Sequence, residues 1–195
     1  IHGVPFGEAS QYGAEDARIL ESLLRDPVNE EFYTQIVTTL CLIGDRDSRE
    51  AIIGFINNPD LDSDDAFEAK MAAILHLGDF VQKTNDSEAF DFLNAMATES
   101  NLGVDVAESK VKAFESAQMA AAPGEISVPS SSELQQDLVA SAVLGLGVAG
   151  SSAGRETLNS LSGSAAPSEM VKDVSETAIK TADQVDSQGW EQYRK

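Results

Sequence analysis

The sequence of 195 residues has a single cysteine, few aromatic residues and few basic ones. One cysteine excludes a disulfide within the chain. Only 13 lysines and arginines stand against 33 aspartates and glutamates, which gives a net charge of −20. This balance argues against binding to nucleic acid or to anionic membranes, because both need clustered basic side chains. It permits a protein partner of basic character.

Long apolar runs are also absent. No stretch approaches the roughly 20 residues that a membrane-spanning helix requires, so no membrane insertion is predicted. The chain begins at Ile1 rather than Met. If a signal peptide has been removed before Ile1, an exported or periplasmic location is expected, and otherwise a cytoplasmic one. The lone Cys41 lies in an apolar helical run and is predicted to be a small core residue.

What the chain does contain is an apolar helix ending that recurs three times. Leu40–Gly44, Ile74–Gly78 and Val143–Gly147 each run to a glycine. We predict that each of these glycines ends a helix in the left-handed conformation. They lie 34 residues apart (78 − 44) and then 69 (147 − 78), close to two periods. A fixed period of this size is typical of stacked helical repeats.

A second helix is predicted to follow each ending, with Ser48, Ser87 and Ser152 as N-caps. Apolar residues spaced three apart then lie on one helix face. A pair of antiparallel helices buries such a face only by stacking on neighbouring pairs. In this alignment the equivalent core positions are Ile52, Phe90 and Leu158, followed by Phe55, Leu93 and Leu161.

Residues 40–80 contain Leu42-Ile43-Gly44-Asp45, Met71-Ala72-Ala73-Ile74 and Leu77-Gly78-Asp79. This string resembles the short HEAT repeats of phycobilisome lyases, and the resemblance continues in part over 86–98 and 133–162. It implies an all-α fold, a right-handed α-solenoid of HEAT-like antiparallel helix pairs. It also implies that the second helices line the inner surface.

We predict a single solenoid over 14–186, with an extended N-terminal arm over 1–13 and a C-terminal tail or cap over 187–195. The central repeat, 101–131, is degenerate because a Pro- and Ser-containing loop replaces its second helix. Helices are predicted near 14–25, 30–43, 48–57, 64–77, 86–98, 104–119, 133–146, 152–162 and 168–185.

Two short motifs suggest chemistry, and their context argues against both. Residues 145–150 match the dinucleotide fingerprint G-x-G-x-x-G, but that motif needs a preceding strand and the pattern there is helical. Residues 150–154 match the nucleophile elbow G-x-S-x-G, which needs a later histidine base. The two histidines, His2 and His76, both precede it. We therefore predict no catalytic residue and no cofactor site, and a protein that is not an enzyme.

The expected function is a non-enzymatic protein-binding or scaffold module that presents an acidic helical-repeat surface to a partner protein. The alternative is an enzyme component of phycobilisome-lyase type, in which Cys41 would be the only thiol. Candidate partner-binding residues lie on the second helices, off the predicted core stripe. These residues are Arg49, Ile53, Asn57, Asp91, Asn94, Arg155 and Asn159.

An acidic loop gives a further hypothesis, a calcium-stabilised repeat protein. Asp60, Asp62 and Asp64 set oxygen ligands at alternating positions, as a calcium loop does. The loop departs from the EF-hand pattern, because Asp65 replaces its glycine and Met71 its final glutamate. The competing interpretation is a turn in which Ser63 or Asp64 caps the next helix.

Overall fold

The structure is a computed structural model and describes residues 6–9, 11–120 and 128–194. Within these ranges the chain is all-helical and contains no strand, which confirms the predicted all-α class. Two short 3₁₀ helices, Pro27–Phe32 and Arg46–Ser48, accompany the α-helices. The α-helices are α1 (Phe6–Ala9), α2 (Ala14–Leu24), α3 (Tyr33–Ile43), α4 (Arg49–Ile56), α5 (Asp64–Thr84), α6 (Ser87–Thr98), α7 (Val104–Ala120), α8 (Ser131–Ala149), α9 (Ser152–Leu161), α10 (Glu169–Gln188) and α11 (Trp190–Tyr193).

Helices α3, α5, α8 and α10 pack side by side in that order, and we call them the main layer. They run parallel, since their C-terminal ends meet at one edge. Lys83 at the end of α5 donates to the carbonyl oxygen of Leu42 at the end of α3, at 2.9 Å. Gly150, which ends α8, lies between Gln82 of α5 and Val185 of α10. The apolar core fills the space between this layer and the helices packed on it.

Helices α4, α6 and α9, the return helices, pack on α5, α8 and α10 respectively. Each follows a main-layer helix through a turn of one construction. A left-handed residue ends the main-layer helix, because Gly44, Asn85 and Gly150 have φ of 64°, 53° and 63°. The next residue, Asp45, Asp86 or Ser151, accepts a hydrogen bond from a backbone N–H two or three residues later.

These caps correct two predictions about the return helices. The predicted N-caps Ser87 and Ser152 each stand one residue inside the helix, and Ser48 makes no capping bond. Aligned by Asp45, Asp86 and Ser151, the three return helices share a buried small residue and two buried apolar ones. The small residues are Ser48, Ala89 and Gly154; the apolar ones are Ile52, Leu93 and Leu158, then Phe55, Met96 and Leu161. Phe90, only partly buried, is therefore not the equivalent of Ile52.

Gly78 and Gly147 do not end helices, which corrects the predicted repeat spacing. Both lie inside main-layer helices with ordinary helical φ, and α5 continues to Thr84. A Cβ on Gly78 would stand 2.2 Å from the carbonyl oxygen of Gly145, and one on Gly147 would stand 2.6 Å from that of Ala178. These glycines let the backbones of α5, α8 and α10 approach closely, which any side chain would prevent.

The ends of the chain and its centre also bear on the predicted boundaries. Helix α1 lies within the predicted extended arm and packs on α3 through the buried Ala9. Helix α7 occupies much of the predicted degenerate repeat and packs on α8. Part of the loop that was predicted after it, 121–127, lies outside the described residues.

Substituting Gly78→Ala should lower the free energy of unfolding by about 2–4 kcal/mol, because the new Cβ forces α5 and α8 apart in a packed core. Gly54→Ala is the matched control. Gly54 lies inside α4 with open space around its Cβ, so alanine should raise stability by about 0.5–1 kcal/mol through helix propensity. Urea denaturation followed by circular dichroism measures both. Equal effects of the two substitutions would contradict the close contact.

Candidate functional site

A buried carboxylate in α5 joins distant parts of the chain. Asp79 is 0% exposed, although aspartate is rarely buried in full. Its Oδ1 accepts hydrogen bonds from the Trp190 indole at 2.8 Å and from Arg194 Nε at 2.6 Å. Its Oδ2 accepts from His76 Nδ1 at 2.8 Å and from the second nitrogen of the Arg194 fork. We call Asp79, His76, Trp190 and Arg194 the Asp79 centre.

Burial and the bonding partners have opposite effects on the pKa of Asp79, and together they set the charge of this centre. Burial alone would raise the pKa of the Asp79 carboxyl. The hydrogen bond from His76 and the positive charge of Arg194 outweigh it and hold the pKa below its ordinary value. Asp79 is therefore a charged, fully bonded carboxylate at neutral pH, and a bidentate arginine is the partner suited to it. Its stabilising contribution is complete above the unfolded-state pKa and is lost as the pH falls through the lowered native value.

The donors come from a short C-terminal segment, 189–194, that folds back past α8 onto α5. Gly189, with φ of 83°, ends α10 and turns the chain into α11. Trp190 and Arg194 then stand one helical turn apart and reach the same carboxylate. This segment lies within the predicted C-terminal tail or cap, 187–195, and these two side chains contact Asp79 of α5.

Burial, with a smaller contribution from Asp79, determines the state of Cys41. The thiol is fully buried, as predicted for a core residue. Burial, followed by the nearby negative charge of Asp79, raises the pKa of the Cys41 thiol well above its ordinary value. A neutral, enclosed thiol is a poor nucleophile, so this position does not favour covalent attachment of a chromophore.

Two of the predicted partner-binding residues lie in ion pairs between neighbouring helices. Arg49 at the start of α4 contacts Asp86, which caps α6, and Glu88 in the first turn of α6, each at 3.1 Å. Arg155 of α9 joins its helix to α10. Its partners there are Asp183 at 2.8 Å and Asp186 at 2.7 Å.

The other five predicted residues differ in exposure. Asn94 accepts a hydrogen bond of 2.6 Å from Thr157, which links α6 to α9. Ile53 is half-buried against the core. The structure leaves three of the seven exposed on the return helices or their ends: Asn57, Asp91 and Asn159.

Two buried lysines organise the acidic loop that suggested calcium. Lys70, 0% exposed, donates to the carbonyl oxygens of Asn58 and Leu61. Lys110 of α7, 4% exposed, donates to the Asp62 carbonyl at 2.9 Å and to the Asp64 carboxylate at 2.6 Å. Two ammonium groups thus take oxygen atoms that a cation would need.

The described residues contain no group of three or more His, Cys, Asp or Glu side chains placed to hold a metal ion. Asp60, Asp62 and Asp64 are therefore not brought together as ligands. Calcium binding there stays a prediction, and the two lysines would compete with the ion. Ser63 does cap α5, accepting from Ala66 N at 3.0 Å, as the competing interpretation held.

Exposed apolar side chains gather at the N-terminal end of the chain. Five of the seven large ones exposed among the described residues lie between residues 12 and 32. We call them the apolar edge: Tyr12, Ile19, Leu23, Val28 and Phe32. Clefts lie beside α2, one of about 350 Å³ against α3 and one of about 400 Å³ against α4. Gln35 lines the smaller cleft, and its Oε1 is buried without a hydrogen-bond partner.

Comparisons of the chain with protein-family models, with curated proteins and with solved structures found no match. None of the described helices is long and apolar enough to cross a membrane. The Asp79 centre, the apolar edge and the distribution of charge are the features of this chain that bear on its function.

Arg194→Ala should lower the free energy of unfolding by about 2 kcal/mol, since it removes a bidentate partner from a buried carboxylate. Asp79→Asn should cost a similar amount. The stability lost by the double variant should be smaller than the sum of the two single losses, by at least about 1 kcal/mol, because the residues act as a pair.

Urea denaturation monitored by circular dichroism gives all four stabilities. Lys172→Ala is the control, because the ion pair of this residue with Glu169 lies at the surface, and its loss should have little effect on stability. Additive effects of Arg194→Ala and Asp79→Asn would show that the carboxylate does not depend on Arg194.

Lys70 should make stability rise with pH under alkaline conditions. Burial lowers its pKa to about 8 despite the opposing charge of Asp62. The unfolded chain then binds the proton more tightly than the native one between about pH 8 and 10.5, so the native state gains from deprotonation.

Relative to Lys70→Met, the wild-type protein should gain about 2–3 kcal/mol of stability between pH 7 and pH 10, the order expected from a shift of this size. Denaturant midpoints at several pH values provide the test. Parallel stability curves for the two proteins would show that Lys70 does not titrate in this range.

Proposed function

We propose that this protein is a non-enzymatic protein-binding module, an α-solenoid of HEAT-like helix pairs that presents an acidic surface and an apolar edge to a basic partner protein. Three features support the repeat architecture. The main-layer helices are parallel neighbours. Each return helix is entered through a left-handed residue and a capping side chain. Equivalent small and apolar residues are buried in all three return helices.

The observation that carries the binding function is the apolar edge. Val28 is 80% exposed, Ile19 61% and Phe32 43%. Single exposed apolar side chains are ordinary, but five lie within residues 12–32, and two of them, Tyr12 and Ile19, line the cleft of about 350 Å³. Such a concentration is typical of an interaction surface. At the opposite end of the layer, α10 carries charged side chains in exposed positions, among them Asp173, Glu176 and Lys180, and Met170 is its one exposed large apolar side chain. Solenoid ends that face only water are usually polar.

The basic character of the partner follows from where the few cations are held. Lys70, Lys83 and Lys110 bond to backbone carbonyls inside the molecule, and so does Arg46. Arg49 and Arg155 are held in ion pairs between helices. The excess of acidic side chains is thus left to the surface, where it attracts positive charge over several ångströms.

The experiment is affinity capture from the native source, followed by calorimetry with the purified partner. Ile19→Ser combined with Val28→Ser should weaken binding at least tenfold, because both side chains would lose apolar contact area. The matched control combines Met119→Ser with Met170→Ser, which removes two exposed apolar side chains far from the edge. A third variant, with Asn57, Asp91 and Asn159 changed to alanine, tests the return-helix surface.

Retained affinity in the control and loss in the edge variant would support the apolar edge. Loss only in the third variant would move the interface to the return helices. If the partner binds all three variants with unchanged affinity, the proposed interface is contradicted.

A further inference from the structure

The C-terminal segment shows which chemistry the pocket at Asp79 accepts. One carboxylate, closed off from water, receives an indole N–H and both arms of a guanidinium from side chains four residues apart. We propose that the Asp79 centre is a peptide-binding site, that segment 189–194 occupies it in cis, and that a partner segment with tryptophan and arginine in the same spacing displaces it. The proposal rests on the proposed function for the existence of a partner, but uses a different surface.

Most of the described segment lies at the surface of the molecule. Gly189, Glu191 and Gln192 are exposed, and Trp190 and Arg194 are only partly buried. A Cβ on Gly189 would meet nothing within 4 Å, so there is open space on that side of the turn that leads into the segment. Such a segment can leave without disturbing the helices beneath it, which are packed on one another independently.

The carboxylate, in contrast, needs an occupant. If the segment leaves, Asp79 keeps only His76, and a buried carboxylate with one partner is costly. The pocket therefore favours any segment that restores the donors. Arginine is required rather than lysine, because one planar fork supplies both bonds that reach the two carboxylate oxygens.

Competition sets a condition on the partner. A tethered segment acts at a high effective concentration, on the order of millimolar for a short linker. To displace the tethered segment, a partner must make additional contacts elsewhere on the protein. The acidic surface attracts a basic partner and provides such contacts. Occupancy in cis thus makes the site selective for partners that engage a second surface as well.

The test uses the full chain with Trp190→Ala and Arg194→Ala. Trp190 is the only tryptophan in the sequence, so this variant is free of tryptophan fluorescence. A synthetic peptide with the sequence of residues 188–194, Gln-Gly-Trp-Glu-Gln-Tyr-Arg, then carries the only signal. Its fluorescence anisotropy should rise to saturation as the variant is added. Replacing the peptide's arginine by lysine or alanine should weaken binding at least tenfold, and adding Asp79→Asn to the protein should do the same.

A second measurement covers the case in which circular dichroism shows the double variant to be unfolded. The single variant Trp190→Phe, which keeps Arg194 and is likewise free of tryptophan, is titrated with the same tryptophan-containing peptide. Its own segment lacks the indole N–H, so the peptide should displace it and the anisotropy of the peptide should rise. The peptide without arginine should show no rise.

Two results would overturn the proposal. One is the absence of an anisotropy change at millimolar peptide with a folded, tryptophan-free variant. The other is binding that neither the arginine replacement nor Asp79→Asn weakens. The Ile19→Ser and Val28→Ser variant should bind the peptide like its parent, so failure of the apolar edge as an interface and failure of this site are distinguishable.

Discussion

The contact between the backbones of α5 and α8 fixes most of the other distances in this protein. At Gly78 and Gly145 the two helices touch without side chains between them. Helix α10 is seated on α8 in the same way, through Gly147 and Ala178. Asp79 immediately follows Gly78, so the contact that joins the helices also determines how deeply this carboxylate is buried. The C-terminal segment can reach it only because the main layer is this narrow.

Helix formation was predictable because it depends on local pattern. The apolar spacing and the proline breakers located each of the nine predicted helices. The ends of α5 and α8 were misplaced, since glycine serves two purposes that sequence alone does not separate. Gly44 provides a positive φ, whereas Gly78 provides room for a neighbouring backbone. Asn85, the true left-handed residue after α5, gives a weaker signal than glycine does.

The Asp79 centre was not predictable in this way, because Trp190 and Arg194 lie 111 and 115 positions after Asp79 in the chain. Asp79 follows Gly78, and a glycine after an apolar run is typical of a helix ending. The available signal was an acidic residue within an apolar run, together with a lone tryptophan and an arginine one helical turn apart near the other end. The ion pairs of Arg49 and Arg155 were likewise not predictable from the sequence. The spacing of these two arginines placed them off the core stripe, and only the fold shows that acidic partners on neighbouring helices occupy them.

The main-layer helices run parallel, so their dipoles point the same way and add. Helices α5, α8 and α10 have 21, 19 and 20 residues, whereas the return helices α4, α6 and α9 have 8, 12 and 10. The longer dipoles are therefore only partly cancelled, and their negative ends gather at the edge marked by Gly44, Asn85 and Gly150. Asp79 lies less than two turns from that edge. A cationic partner would be turned towards this end of the molecule before any contact forms.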